Sequence, residues 1–333
     1  MLRDYLLLIR APNLFTVPSN ILAGYFAVIP TTAANYGQLL SLILSSIFLY
    51  VSGIVLNDYF DLDIDRKERP NRSLASGRIT KRNAMILAVV SIIAGNVFAL
   101  AAGWTSLLIS AILTSVIIAY DFRLKRSTVA NPISMGFARF LNIVLGGSPA
   151  LGMAMVPSQS YMLLVFIGYC LFIYTAAISI LSRKEISSNK LFSGSNWITI
   201  FLSLSIVLVT IGSIFVIGLD RFQNLFILNL VIFSCVMGFA FLHLIMKLRY
   251  ISKKTRVIKQ EEEYNINLSE ESKSYSKRSR AAQEIQTTIK IMILSIVILD
   301  SVFISGLIGI IAGIATLMLL VPPILLGRRL YVT

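Results

Sequence analysis

The residues best suited to carry chemistry lie in one acidic stretch, 57–65. Asn57, Asp61 and Asp65 are spaced by four residues and Asp58 precedes Asp61 by three, so these groups converge on one face of a continuing helix. Asp63 should point away from that face. Crowded carboxylates near a membrane are tolerable when a divalent cation neutralises them, and oxygen ligands together with substrate phosphates suit Mg²⁺. The stretch therefore predicts a Mg²⁺ site with Asp58, Asp61, Asp65 and Asn57 as ligands; the alternative is a hydrated helix end.

Basic residues follow in two loops. The first loop, 69–78, contains Arg72 and Arg78, and a second basic run contains Lys125 and Arg126. A basic loop on its own more often reflects membrane topology than binding. Next to an acid-rich helix end, however, guanidinium and ammonium groups can bind phosphate oxygens. We therefore expect these four basic side chains to contact a diphosphate held by the metal.

Long apolar stretches must position these groups. Only 14% of the 333 residues are charged and 56% are hydrophobic, whereas a soluble domain carries about 25% charged residues. This composition excludes soluble and disordered proteins and predicts an all-α, polytopic membrane bundle with nine or ten transmembrane helices. The candidate spans are 11–31, 38–57, 83–102, 104–120, 133–154, 161–181, 196–219, 224–246, 287–304 and 307–326.

The distribution of charge predicts the orientation. Lys and Arg concentrate in the gaps after spans 2, 4, 6 and 8, whereas the opposite gaps contain one basic residue, Arg221. The positive-inside rule then places both termini in the cytoplasm of a protein integral to the cell membrane. The segment 247–286 becomes a polar cytoplasmic insertion in a single domain, 1–333. The net charge of +14 follows from this topology, and we expect no nucleic acid partner.

The two clusters carry a family resemblance. The matching residues are Asn57-Asp58-x-x-Asp61-x-x-x-Asp65, Arg69-Pro70-x-Arg72, Ser76-Gly77-Arg78, Tyr120-x-x-x-Leu124-Lys125-Arg126 and the opening Arg10-Ala11-Pro12-Asn13. This pattern resembles the UbiA superfamily of intramembrane prenyltransferases. The resemblance implies a helical bundle around a central cavity open to the cytoplasmic side and the bilayer. It also implies Mg²⁺-dependent transfer of a prenyl group from an isoprenyl diphosphate to a lipophilic acceptor. Asp58, Asp61, Asp65 and Lys125 would be the catalytic residues, and membrane lipid would be a further partner of the protein.

The chain departs from the family at its second acidic motif. The corresponding stretch, 181–190, has no aspartate, and Glu185 is its only carboxylate. The pattern Ser182-Arg183-x-Glu185 in its place resembles that of the EboC-like branch of the superfamily. In that case, Arg183 would hold the diphosphate directly. Two alternatives stay open: a non-catalytic carrier of prenyl lipids and, ranked lower, an archaeal-type geranylgeranylglyceryl phosphate geranylgeranyltransferase. An ion-coupled transporter is disfavoured because the charges lie at the rim of the bundle.

Several polar residues lie inside predicted spans. Arg139 and Asn142 belong to span 5, where Arg139 is equally compatible with a place in the cavity and with snorkelling to the surface. Asn13 and Asn20 in span 1 could line the same cavity or bond between helices, and Tyr120 is a further cavity candidate. Asp300 is an acid in span 9 to which the sequence assigns no role. Small residues of span 5, Gly136, Gly146 and Gly147, should allow close helix packing.

Overall fold

The computed structural model describes residues 2–152, 157–186, 289 and 292–330, and every regular element in this part of the chain is helical. Short 3₁₀ turns at Thr31–Ala33, Leu124–Arg126, Ser148–Gly152 and Met318–Leu320 connect some of the helices. The helices are α1 (Leu2–Leu8), α2 (Ala11–Leu14), α3 (Thr16–Val28), α4 (Tyr36–Phe60), α5 (Leu62–Glu68), α6 (Lys81–Ala102), α7 (Trp104–Phe122), α8 (Ala130–Gly147), α9 (Ser158–Ile186), α10 (Met292–Ile308), α11 (Ile310–Leu317) and α12 (Val321–Leu330).

Several apolar helices match spans expected from hydropathy, but α8, which overlaps the predicted span 133–154, is not one of the described helices that are long and apolar enough to cross a bilayer. Within the described residues, α4, α6, α7 and the Ser158–Ile180 part of α9 are long and apolar enough to cross a bilayer. The segments Leu2–Leu8 and Ala11–Val28 would make a fifth span, bent by 56°. Shorter apolar helices occupy Met292–Ile308 and Ile310–Leu326. The predicted spans 196–219 and 224–246 and the insertion 247–286 lie outside the described residues, so the count of nine or ten stays a prediction.

Helix α8 packs against α3, α7 and α9 in the interior of the bundle. Its glycines allow this packing: a Cβ added at Gly146 would lie 2.5 Å from the Ile21 carbonyl oxygen, and one at Gly136 would lie 2.6 Å from the Phe172 carbonyl oxygen. From the other side, a Cβ on Gly24 of α3 would lie 2.0 Å from the Ile143 carbonyl oxygen. The expectation of small residues at helix contacts is confirmed, because any larger residue would force these backbones apart.

The outer face of α6 is apolar and uncovered. Val90, Ile93 and Val97 are each more than half exposed, and they recur at the three- to four-residue spacing of one helix face. A soluble protein rarely exposes so continuous an apolar surface. Hydrocarbon is therefore the natural environment of this face, as expected for a helix in contact with lipid.

Candidate functional site

The acidic stretch 57–65 lies where α4 ends and α5 begins. Helix α4 stops at Phe60, but the amide of Asp61 still bonds the Asn57 carbonyl at 3.0 Å, and the amide of Asp65 bonds the Asp61 carbonyl at 2.8 Å. Helical spacing thus continues across the break, as the sequence predicted. Asp58 and Asp65 are buried and Asp61 is half-buried. The prediction for Asp63 is confirmed, because its side chain is 94% exposed and faces Arg66.

Arg72 joins the two buried carboxylates. Its Nη1 lies 3.1 Å from Asp58 Oδ1 and 2.6 Å from Asp65 Oδ2. The loop that carries Arg72 is held against the bundle because Leu74 and Ile79 are buried in an apolar cluster at the base of α4. Burial raises the pKa of the Asp65 carboxyl above its ordinary value, and Arg72 opposes this shift only in part. The ionised Asp65 therefore depends on a nearby cation.

Arg10 is a site residue that spacing arguments missed. It lies between α1 and α2 with φ 49°, the one non-glycine residue at positive φ in the described part of the chain. Its Nη2 is 3.0 Å from Asp58 Oδ1. A side chain in the left-handed region carries strain, and such strain concentrates at functional sites. The matching opening pattern at residues 10–13 was the only available signal.

Lys125 completes the cluster from the turn after α7. Its Nζ lies 2.7 Å from Asp61 Oδ1 and 3.4 Å from Asn57 Oδ1. Asn131 at the start of α8 fixes this turn by donating to the Lys125 carbonyl at 3.0 Å. The same amide bonds the side chains of Ser179 and Tyr120, so α7, α8 and α9 all help to place the lysine.

Asp121 is a second missed residue. It is 2% exposed, and its Oδ1 has no hydrogen-bond partner among the residues that the structure describes. The carboxylate interacts favourably with the charge of Lys125 and unfavourably with that of Asp61. Asp121 therefore adds negative charge beside the Lys125–Asp61 pair. Its position inside the Tyr120–Arg126 motif was visible in the sequence, but its burial was not.

Of the other predicted residues, Arg78 lies apart from these ion pairs. Arg78 pairs with Asp4 at 2.8 Å and donates to the Asn71 carbonyl at 2.7 Å, so the structure does not bring it to Asp58, Asp61 or Asp65. Arg126 is exposed. The backbone of Arg183 and Glu185 belongs to the last turns of α9, but their side chains lie outside the described part of the structure.

The oxygen donors suit Mg²⁺, although they are not gathered into a cage. Within the described residues, no group of three or more acidic, His or Cys side chains is close enough to hold a metal by itself. Instead, Asp58, Asp61 and Asp65 are each paired with a basic side chain. Because Mg²⁺ commonly takes one or two carboxylates plus phosphate oxygens and water, the set fits a metal that arrives together with a phosphorylated ligand.

A separate polar network lies deeper in the bundle. Arg139 Nη1 donates to Asn20 Oδ1 at 2.8 Å, and Nη2 donates to Thr16 Oγ1 at 3.3 Å. The guanidinium therefore points into the bundle, and the snorkelling alternative is wrong. Asn142 donates to Asn20 Oδ1 at 3.4 Å, which confirms interhelical bonding for Asn20. Asn13 contributes its carbonyl oxygen, which accepts from Thr16 at 2.8 Å.

Comparison with known proteins agrees with this arrangement. Residues 17–266 match the UbiA prenyltransferase family. Two archaeal digeranylgeranylglyceryl phosphate synthases are similar to this chain. The protein of Methanosphaera stadtmanae is 31% identical over 39% of this chain and 49% of its own length. The protein of Methanothrix thermoacetophila is 36% identical over 33% of this chain and 41% of its own length. The alignments thus span about half or less of these relatives.

Solved structures share the fold. A structure from work on digeranylgeranylglyceryl phosphate synthase in membranes covers 92% of this chain and 98% of its own, with a TM-score of 0.58 and 20% identity. A UbiA homologue from Archaeoglobus fulgidus, bound to GPP and Mg²⁺, covers 95% and 99%, with a TM-score of 0.55 and 18% identity. The helical fold, the apolar spans and the match over most of the chain establish that this integral membrane protein belongs to the UbiA prenyltransferase family.

Proposed function

We propose that the chain is an intramembrane prenyltransferase that moves a prenyl group from an isoprenyl diphosphate to a lipophilic acceptor, with Mg²⁺ as its cofactor. The observation that carries the proposal is the pairing of Asp58, Asp61 and Asp65 with basic side chains at one end of an apolar bundle. Acids that bind a metal and bases that bind phosphate oxygens stand within hydrogen-bond distance of each other. A diphosphate with its metal needs both kinds of group.

In the proposed reaction, the bond between C1 of the prenyl chain and the bridging diphosphate oxygen breaks heterolytically. The electron pair leaves with the diphosphate, and an allylic cation remains. The acceptor supplies the electron pair of the new bond and loses a proton. Arg10, Arg72 and Lys125 present N–H donors where the leaving group gains negative charge. Mg²⁺, held by Asp58 and Asp61 together with the other acidic-stretch ligands, would stabilise the same charge as a Lewis acid.

The surroundings of the acidic stretch suit a reactive cation. Val55 and Leu56 precede Asn57 on α4 and are buried. Apolar packing on this side of the charges excludes water, which would otherwise capture the allylic cation. The isoprenyl chain would extend from there into the interior of the bundle, through the central cavity that the family resemblance implies.

The names of relatives suggest the substrate classes. The GPP and Mg²⁺ bound to the Archaeoglobus fulgidus homologue support an isoprenyl diphosphate as donor. A synthase of digeranylgeranylglyceryl phosphate forms a product with two prenyl groups, so its acceptor is the lipid with one. We therefore propose geranylgeranylglyceryl phosphate as the first acceptor to test. The lack of aspartate in residues 181–190 is the feature of this chain that argues against this acceptor.

The test is transfer by the purified full-length chain in lipid nanodiscs. Tritiated geranylgeranyl diphosphate, Mg²⁺ and geranylgeranylglyceryl phosphate are expected to give a doubly prenylated lipid, and EDTA should abolish its formation. Asp61→Asn should reduce the rate at least a hundredfold, because it removes a metal ligand and the partner of Lys125. Asp63→Asn, an isosteric change at an exposed carboxylate, is the matched control. Equal rates for the two variants would contradict the proposed role of the ion pairs.

One observation favours a second candidate, a carrier of prenyl lipids without catalytic activity. In the stretch 181–190, Glu185 is the only carboxylate, so less negative charge is available there for a second metal. Under the first proposal, Arg183 compensates by binding the diphosphate directly, and Arg183→Ala should weaken that binding. Tight Mg²⁺-dependent binding of geranylgeranyl diphosphate without transfer to any lipid of a total extract would favour the carrier.

A further inference from the structure

Asp300 of α10 is a buried carboxylate that the proposed reaction does not use. Its side chain is fully buried, and its Oδ2 accepts from Ser19 Oγ and from Asn20 Nδ2, each at 2.6 Å. Its Oδ1 has no hydrogen-bond partner in the described part of the chain. A polar atom buried among apolar helices is costly unless a donor satisfies it. Among the described residues, this strong acceptor therefore has no donor.

Asn20 links this carboxylate to Arg139. The Asn20 amide nitrogen donates to Asp300, while its oxygen accepts from Arg139 Nη1 at 2.8 Å. The Nη2 atom of Arg139 also donates to Thr16 Oγ1. A guanidinium has five N–H donors, and these two bonds use two of them. The Asn20 amide thus lies between an acceptor, the Asp300 carboxylate, and a donor, the Arg139 guanidinium.

The network shares helix α8 with Asn131, the residue that fixes Lys125. Arg139 follows Asn131, which fixes Lys125, by eight residues on α8, or about 12 Å along the helix axis. Helical side chains lean toward the N-terminus of their helix, and in α8 that end carries Asn131. A lipid whose tail lies in the membrane would bring its polar end to this region.

We propose that Asp300 and Arg139 bind the hydroxyl-bearing end of the lipophilic acceptor, an inference that rests on the proposed prenyl transfer. A hydroxyl group suits this pair because it donates to Asp300 Oδ1 and accepts from an Arg139 N–H. A lipid without the hydroxyl provides no donor for the buried Asp300 Oδ1, and sites built around such a bond reject the analogue that lacks it. In this scheme Asp300 and Arg139 contact the acceptor directly, and they select and orient it through its hydroxyl.

The experiment measures binding without turnover. Wild type in nanodiscs, with EDTA and no diphosphate, is titrated with radiolabelled geranylgeranylglyceryl phosphate and with its deoxy analogue, in which hydrogen replaces the hydroxyl. Wild type should bind the hydroxyl lipid at least tenfold more tightly. Asp300→Asn should reduce this preference to within twofold, whereas Asp63→Asn should keep it. Arg139→Lys, which keeps the charge but loses the fork of donors, provides the same test if Asp300→Asn does not fold.

A separate titration with labelled geranylgeranyl diphosphate and Mg²⁺ distinguishes the two proposals. Asp300→Asn should bind the diphosphate as wild type does, because the network does not touch Asp58, Asp61 or Lys125 in the described structure. A wild type that binds the diphosphate but does not distinguish the two lipids overturns this inference and leaves the transferase proposal intact. Unchanged lipid preference in folded Asp300→Asn and Arg139→Lys also overturns it.

Discussion

Removal of Arg72 should change the binding of metal and of diphosphate in opposite directions. One nitrogen of Arg72 lies 3.1 Å from Asp58 and 2.6 Å from Asp65, so it occupies the carboxylates that Mg²⁺ needs. Arg72→Ala frees them, and Mg²⁺ alone should bind roughly tenfold more tightly, which corresponds to about 1.4 kcal/mol. Diphosphate with Mg²⁺ should bind about ten- to a hundredfold more weakly, because a charge-assisted hydrogen bond contributes about 1.5–3 kcal/mol.

The same change has a cost in stability. Loss of one partner from a buried ion pair costs about 3–5 kcal/mol, but the Arg72 side chain is 25% exposed and Arg10 still neutralises Asp58. We therefore expect about 2 kcal/mol without ligand, seen as a lower thermal midpoint in detergent, and partial recovery of that midpoint with Mg²⁺.

Calorimetric titration of Mg²⁺ and of a nonhydrolysable geranylgeranyl diphosphate analogue measures both affinities. Arg66→Ala is the matched control, because Arg66 is exposed and pairs only with exposed Asp63 in the described structure. Weaker binding of Mg²⁺ alone to Arg72→Ala would refute the reasoning, since it would mean that Arg72 organises the metal ligands and does not compete for them.

Three further predictions use the remaining geometry. Arg10→Gly should be about 1 kcal/mol more stable than Arg10→Ala, since only glycine adopts φ 49° without strain. Both variants should weaken diphosphate binding. Equal thermal midpoints for the two variants would contradict the strain argument. Gly24→Ala should lower the midpoint sharply because its Cβ would lie 2.0 Å from a backbone oxygen, whereas Gly37→Ala, with its closest contact at 3.4 Å, should be nearly neutral. Arg78→Ala should leave the diphosphate Kd within twofold, because its partner Asp4 lies outside the cluster. A tenfold loss of diphosphate affinity in a binding titration would show instead that Arg78 binds the diphosphate.

Local spacing allowed the acidic half of the site to be predicted. Asn57, Asp58, Asp61 and Asp65 fall on one face because helical hydrogen bonds persist through the break at Asp61. The contact of Lys125 with Asp61 agrees with the expectation that a basic loop meets an acidic helix end. Such features depend on periodicity and charge, which a sequence displays directly.

The missed features depend on tertiary folding. Arg10 meets Asp58 across 48 residues because the backbone enters the left-handed region, which nothing in an arginine side chain favours. Asp300 and Ser19 are separated by 281 positions. Arg78 was expected near the diphosphate, but the loop from Leu74 to Ile79 directs it to Asp4. Burial of two apolar side chains decided that geometry, and no motif encodes it.

The charges of the site imply that metal and diphosphate bind together. In the described structure, Asp58, Asp61 and Asp65 are each neutralised by Arg10, Arg72 or Lys125. Mg²⁺ alone would have to displace a basic side chain that then has no partner, and diphosphate alone would leave a carboxylate without its cation. When Mg²⁺ and diphosphate bind together, the basic side chains bind phosphate oxygens and the carboxylates bind the metal. Each charged side chain of this partly buried site then has a partner of opposite charge. Because such coupling is reciprocal, diphosphate should tighten Mg²⁺ binding by the same factor by which Mg²⁺ tightens diphosphate binding.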